Sequence, residues 1–416
     1  MPPAQVMVER ATRREPGGSP RSDLAVTTPT RTLAAVDRVA EPSVTDRHAD
    51  FALALLDAVP TTGAENVVMS PWSVSSALAV LAPGCDPEAR NEVERALAGG
   101  SPGAGGAADA ADVVMRLAAD AATIASERPW DGDSLLTVAN TLWVDEGRTP
   151  VPEFTAALDR WPGAGLRLAP IAADPAGTCR AINADVAATT RDLIPAILPE
   201  DALTPDDRAV IVNALYLCAP WLDPFSASRT HDAPFHGPGG SRRVPTMRAA
   251  HELAYARDGW EYVGLPLDLG FVAEVLLPPA GSDGVNTLPD VATLHALRRG
   301  ARTHRVDLQL PRFRVEQATP LMQPLCELGV RRIFSGLPVT RVVAEEPVWI
   351  AGAYHAAVLR TDETGIEGAA ATALVARGVA YRQLPTVDVH VDRPFLVLIT
   401  HRHTGAIAFV ARVREP

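Results

Sequence analysis

Lysine is missing altogether: all 38 basic side chains of this 416-residue chain are arginines. Together with the load of Ala, Gly and Pro, this points to GC-rich coding rather than to a functional device. The formal net charge is −12, so a surface for phosphate backbones is not expected, and nucleic acid is not expected as a partner. No apolar run approaches the roughly 20 residues needed to span a bilayer, so no membrane partner is expected. Cysteine is scarce. Cys85, Cys179, Cys218 and Cys326 are scattered, with neither the spacing of a zinc site nor the density of a disulfide framework. They are expected as buried thiols. Arginines near the start are not followed by an apolar stretch, so no secretory signal is expected and the expected location is cytoplasmic.

What is present is apolar material, 47% of the chain, ample for a large core. Length alone points to two or three domains. Residues 1–46 are rich in Pro, Arg, Ser and Thr and are expected to form a disordered extension. A helix is expected from about Thr45, with Phe51, Leu55 and Leu56 on one face. Asn66–Met69 reads as a short buried strand. Ser70 then caps a helix with Pro71 at its first position, and Gly84 ends it. Leu135–Val144 is strand-like, and a helix begins near Ile182. Ala209–Leu217 is a strand apolar on both faces. Further strands are expected at Tyr262–Leu267, Phe271–Leu277, Val306–Leu310 and Tyr354–Arg360. Phe395–Thr400 and Ala406–Val413 form a hairpin around His401–Gly405. Helices dominate early and strands late, which makes the class α+β.

Three apparent motifs carry no chemistry. Gly99-Gly100-Ser101-Pro102-Gly103 fits a hydrolase nucleophile pattern. However, the residue after the serine must donate a backbone N–H, and Pro102 has none. His401-Arg402-His403 is expected as a hairpin tip with two solvated histidines, and no metal site is expected there. Arg242-Arg243 and Arg331-Arg332 read as solvated surface. No dinucleotide or P-loop pattern occurs, so no cofactor is expected.

The informative segment is Gly365-Ile366-Glu367-Gly368-Ala369-Ala370-Ala371-Thr372. Ile366, Gly368, Ala370 and Thr372 alternate as apolar or small side chains, and Glu367 begins the opposite set. This is the pattern of a strand with one buried face, set in a loop. A loop that inserts into a sheet gives the chain two states and points to a switch.

Several segments agree, in order, with one family. Asn66-Val67-Val68-Met69-Ser70-Pro71-Trp72-Ser73 resembles its N-x-x-x-S-P-x-S segment. Ala139-Asn140-Thr141-Leu142-Trp143 resembles its A-N-x-L-[WF] strand. Asp192-Leu193-Ile194-Pro195 is similar to its D-L-[IL]-x helix end. Val212-Asn213-Ala214-Leu215-Tyr216, then Trp221 and Pro224-Phe225, matches a central strand and its exit. Leu310-Pro311-Arg312-Phe313 resembles L-P-K-F, and Val389–Leu396 fits the C-terminal signature. With the hinge, this run resembles the serpins, serine protease inhibitors that act by loop insertion.

The resemblance implies one domain over 47–416 rather than two or three, with three β-sheets, about nine helices and an exposed reactive-centre loop at about 363–385. It implies an inhibitor and not an enzyme. The loop is cut as a suicide substrate, and the acyl-enzyme is trapped by insertion in a covalent 1:1 complex with a serine protease. The inhibitor itself is expected to be a monomer. It places a gate network at Ser70, Ser73, Asn213 and His355, with Trp221 at the top of the gap. Counting from Gly365 at the family's usual loop length puts the scissile bond at Val379–Ala380, suited to an elastase-like protease. Arg377–Gly378 and Tyr381–Arg382 are the alternatives. Ile366 stands where Thr or Ser is usual, Gly368 where Ala is, and Ala356 where Lys is. No basic helix for a glycosaminoglycan is seen. A non-inhibitory serpin, acting by binding or as a structural protein, is the alternative function, and an extracellular location, as for many family members, the alternative compartment.

Overall fold

The computed structural model describes residues 42–99, 135–159, 164–282, 284–335, 339–366 and 384–416, with the side chains of 42–45 and 135–139 excepted. The first part holds α1 (Pro42–Ala58), β1 (Val67–Met69), α2 (Pro71–Leu81), α3 (Pro87–Leu97), β2 (Leu135–Asp145), α4 (Pro152–Leu158), β3 (Ala164–Ala169) and α5 (Pro175–Thr189). The middle holds β4 (Ala209–Pro220), β5 (His231–Gly237), β6 (Gly240–Asp258), β7 (Trp260–Pro266), β8 (Phe271–Leu277), α6 (Val291–Gly300), β9 (Arg302–Pro311), β10 (Phe313–Pro320) and α7 (Met322–Glu327). The last part holds β11 (Gly352–Thr361), β12 (Gly365–Ile366), β13 (Thr386–His390), β14 (Phe395–His401) and β15 (Ile407–Val413). Helix α1 begins inside the stretch read as an extension. No helix among the described residues is long and apolar enough to cross a membrane.

Helix starts repeat one device. Ser70, Asp86 and Asp174 each accept a backbone N–H three residues on, and each is followed by proline at the first helical position. The cap satisfies an orphan donor, and the proline has no N–H to satisfy.

The strands form two sheets. The larger runs β1-β15-β14-β8-β7-β6-β9-β13, with β5 on β6; the smaller runs β10-β11-β12-β4-β2-β3. The resemblance implies three sheets. Here two of them are continuous, because the 19-residue β6 pairs with β5 at one end, with β9 along its middle and with β7 at the other end. Seven α-helices lie among the described residues, against the about nine implied.

Strand β4 is buried on both faces. Leu215, Leu217 and Ala219 enter the core between the two sheets, with Val263, Phe271 and Val397 from the other side. Val210, Val212 and Ala214 face Ile182 and Val186 of α5. The period of two expected of a strand thus sends the two faces of one apolar run into separate cores, with Ala209 and Ile211 joining a third cluster.

One buried ion pair braces the larger sheet. The Arg298 guanidinium donates to both carboxylate oxygens of Glu274, at 2.8 and 2.5 Å, and Thr400 and Tyr262 hydroxyls donate to the same carboxylate. Burial and the adjacent Glu274 charge hold the Tyr262 phenol well above its ordinary value. Replacing Glu274 with Ala strands a buried guanidinium, an effect of about 3–5 kcal/mol. We expect Glu274→Ala to lower the thermal midpoint of the protein by many degrees, and an unchanged midpoint would remove this brace from the account.

Candidate functional site at the parted sheet

Strands β4 and β11 are bonded to each other at one end only. They run parallel from Gly352 opposite Val210 to Ala356 opposite Ala214. Beyond that pair no direct register joins them, although β4 keeps β2 and β11 keeps β10. At the far end β12 stands between them, with Ile366 opposite both Ala219 and Thr361. The sheet is closed at one end and parted at the other.

A buried polar cluster marks the closed end, where Asn213 and His355 are register partners. The Ser70 backbone N–H donates to His355 Nε2 at 2.9 Å. That nitrogen is therefore the unprotonated one, so Nδ1 carries the hydrogen and donates to Asn213 Oδ1 at 2.8 Å. The Asn213 amide donates to the Ser73 carbonyl at 2.9 Å and to Asn140 Oδ1. Ser70 Oγ accepts from the Ser73 N–H at 3.2 Å. Helix α2 and strands β2, β4 and β11 thus meet in one network. The Ser73 and neighbouring Thr319 hydroxyls are buried and find no hydrogen-bond partner among the described residues. Burial lowers His355 to about 3, so the ring stays neutral.

The four residues assigned to the gate, Ser70, Ser73, Asn213 and His355, come together in this cluster. Asn140 belongs to it as well and was missed. Its sequence signal is its place in the Ala139-Asn140-Thr141-Leu142-Trp143 segment, and the structure sets it opposite Asn213 across β2 and β4.

Trp221 stands apart from them, at the open end. Its Nε1–H donates to the Asp362 carbonyl at 2.8 Å, and its backbone N–H to the Thr364 carbonyl at 2.9 Å. The ring packs edge-on against Phe225 at 6.1 Å. Glu363, between those two acceptors, receives Arg312 Nε at 2.9 Å and the Thr230 hydroxyl. Burial pushes its carboxyl up, but these hydrogen bonds outweigh burial and the net shift is downward. Asp362 Oδ1 accepts the N–H of Thr364 at 2.8 Å and of Gly365 at 3.3 Å, an Asx turn that aims the chain into the gap. Sequence reasoning missed Glu363, Asp362 and Thr230. Glu363 and Arg312 lie 51 positions apart, and no local pattern joins them.

Of the hinge, Gly365 and Ile366 are described. Glu367, Gly368, Ala369, Ala370, Ala371 and Thr372 lie outside the described residues, as do Arg377, Val379, Ala380 and Tyr381. One expectation is corrected. His401 is not a solvated tip residue but is fully buried, while His403 is exposed. It is the last residue of β14 and pairs with Phe271 of β8, so the tip begins one residue later. Its Nδ1 meets the Thr404 hydroxyl at 2.8 Å. No disulfide joins the four cysteines; three are buried and Cys326 is half-buried. Among the described residues no group of three or more His, Cys, Asp or Glu is placed to hold a metal ion.

Neutral burial of His355 sets a pH dependence. Its folded value lies below that of the unfolded chain, so the unfolded state takes up the proton first. The stabilisation is complete above pH 6.5, declines as pH falls, and is exhausted near pH 3. His48 and His401, each lowered to about 4 chiefly by burial, act in the same direction. Each site contributes at most about 1.4 kcal/mol per pH unit. The thermal midpoint is expected to fall steeply from pH 6.5 to 4, and His355→Gln is expected to flatten that slope. A variant with the parent's slope would show that His355 is not held neutral.

Comparison with known proteins agrees with this architecture. The profile of the serpin (serine protease inhibitor) family matches residues 46–416. A serine protease inhibitor of Cyanea capillata is 28% identical over 378 residues, covering 88% of this chain and 97% of the relative. A leukocyte elastase inhibitor of Bos taurus is 28% identical over 371 residues, covering 85% and 94%. Among solved structures, thyroxine-binding globulin in complex with thyroxine superposes with a TM-score of 0.77 at 22% identity, covering 89% of this chain and 99% of that one. Tengpin, a thermophilic serpin in its native state, gives 0.76 at 22% identity, covering 91% and 96%. Those two likenesses speak to the fold. The profile spans the described chain from α1 to the C-terminal hairpin, and the protein belongs to the serpin family.

Proposed function

We propose that this protein inhibits a serine protease as a suicide substrate, with an elastase-like enzyme of small apolar preference as its target. The observation that carries the reading is the parting of β4 from β11 with β12 at its mouth. A parted sheet is one strand short, and the segment after Ile366 has the alternation to supply that strand.

The protease serine attacks the loop at Val379–Ala380 and forms an acyl-enzyme. The peptide bond breaks, and the new amine of Ala380 leaves with the C-terminal side. The freed arm, still esterified to the protease through the Val379 carbonyl, enters between β4 and β11. About 14 residues at about 3.3 Å each carry its end roughly 45 Å. Deacylation needs sub-ångström placement of water and catalytic groups, so a pull on the acyl bond stops it. Insertion races hydrolysis, and small side chains at the inward hinge positions favour insertion. The intact form is accordingly metastable, held by a barrier and used once, as a monomer in a covalent 1:1 complex.

The relatives named as protease inhibitors support this reading over a purely binding role. A non-inhibitory serpin would be favoured by charged residues at the inward hinge positions. Ile366, Gly368, Ala370 and Thr372 carry none.

The direct test is to mix the protein with serine proteases of different pocket chemistry. An SDS-resistant adduct is expected with the elastase-like enzyme, with release of a fragment that starts at Ala380. No adduct with any member would refute inhibition, and a different first residue would move the scissile bond. Thr372→Arg puts an unpaired charge at an inward position. It is expected to convert the inhibitor into a substrate that is cut and released, and a variant that still forms the adduct would argue against insertion.

A further inference from the structure

Placed in solvent at a hairpin tip, His401 and His403 give no reason to expect a metal. The burial of His401 changes that. Its ring is fully buried and packs against Phe271 at 5.2 Å between centroids. Its Nε2 finds no hydrogen-bond partner among the described residues. A buried ring nitrogen in that condition calls for a water or an ion. The His403 ring is its neighbour, with centroids 5.9 Å apart. Both rings turn an edge toward Gly270, in the connection between β7 and β8. A Cβ on that glycine would stand 3.3 Å from His401 Nε2 and 3.8 Å from His403 Cδ2, the carbon bonded to Nε2. A glycine at this place keeps a side chain out of the space that both edges face.

We propose that His401 and His403 bind a divalent transition-metal ion of the Zn2+ type, through His401 Nε2 and a ring nitrogen of His403. The proposal goes beyond the inhibitory reading and does not depend on it. A pair of imidazoles favours zinc, copper or nickel over calcium and magnesium, which take oxygen ligands. Two rings on one tetrahedral zinc, each with Zn–N of about 2.0–2.1 Å, hold their centroids roughly 5.2 Å apart. The observed 5.9 Å reaches that value with a small turn of the exposed His403 ring. Water takes the remaining positions, because the tip meets solvent at His403. The hydrogen bonds behind His401 agree with this role. Thr404 Oγ1 accepts the Ala406 N–H at 3.3 Å and lies 2.8 Å from His401 Nδ1. Its second lone pair takes Nδ1–H, and Nε2 is left with the bare lone pair that a metal requires. The opposite tautomer would bury an N–H without an acceptor. Thr404 thus orients the ring from behind, as outer partners of metal-bound histidines do.

Calorimetric titration of the intact full-length chain with Zn2+, after treatment with a chelator, reads the site. Binding of a single ion is expected, and Ca2+ is expected to give no heat. His403→Ala removes one ligand at an exposed position and is expected to weaken Zn2+ about tenfold or more. His401→Gln is expected to do the same. His390→Ala, at an exposed histidine of β13, is the control and is expected to bind as the parent does. Pulsed EPR with Cu2+ in place of Zn2+ is a second readout. It is expected to show a pair of imidazole nitrogens in the parent and a single one in His403→Ala. If His401→Gln does not fold, His403→Ala and the nitrogen count carry the test. No binding by the parent would leave an ordered water alone at His401 and overturn the site. Zn2+ binding of parental strength in His403→Ala would place the ion elsewhere and overturn it as well.

Discussion

The structure turns on one asymmetry: β4 and β11 share a ladder at one end and a gap at the other. A sheet in water tends to satisfy its backbone groups, so a parted pair of central strands is a configuration with a better alternative. On the inhibitory reading proposed above, the residues after Ile366, whose sequence alternates like a strand with one buried face, would supply the strand that the sheet lacks. Each other feature of the site is placed relative to that opening. The buried cluster stands where the strands still meet, and Trp221 and Glu363 stand where they have come apart.

The closed end is held by polar groups rather than by apolar packing alone. A neutral imidazole bridges the α2 N-terminus to β4, and one asparagine spends both amide hydrogens on neighbouring elements. Such a network is directional. It is stable while complete and loses most of its value when one strand slides, because buried groups are then left without partners. Around it, apolar burial on both faces of β4 keeps the sheet rigid, so a change of state involves strands moving as units. The open end has the opposite character. Its ion pair is half-exposed at Arg312, and its turn is built from side-chain to backbone bonds that need no ladder. One end resists opening, and the other receives the chain.

Much of this was legible in the sequence. Ser70 followed by Pro71 announces a capped helix, and the doubly apolar run from Ala209 announces a central strand. Ser70, Ser73, Asn213 and His355 were assembled through the family resemblance and not from their spacing, which spans most of the chain. What stayed hidden was set by tertiary contact. Glu363 looks like any acidic turn residue until Arg312 and Thr230 close around it. His401 reads as part of a polar hairpin tip, and only its pairing with β8 shows that it is a strand residue. The merging of two expected sheets depends on the 19-residue length of β6, a strand that the sequence reading does not anticipate. Ile366 departs from the usual small hydroxyl residue, and only the structure shows it buried between β4 and β11.

The claim beneath all of this is that the intact chain stores free energy in an incomplete sheet. Thermal unfolding before and after a single cut in the loop between Glu367 and Gln383 tests it most directly. The account predicts that the nicked protein unfolds at a markedly higher temperature than the intact one, since the arm then completes the sheet between β4 and β11. Identical midpoints for the two forms would contradict it.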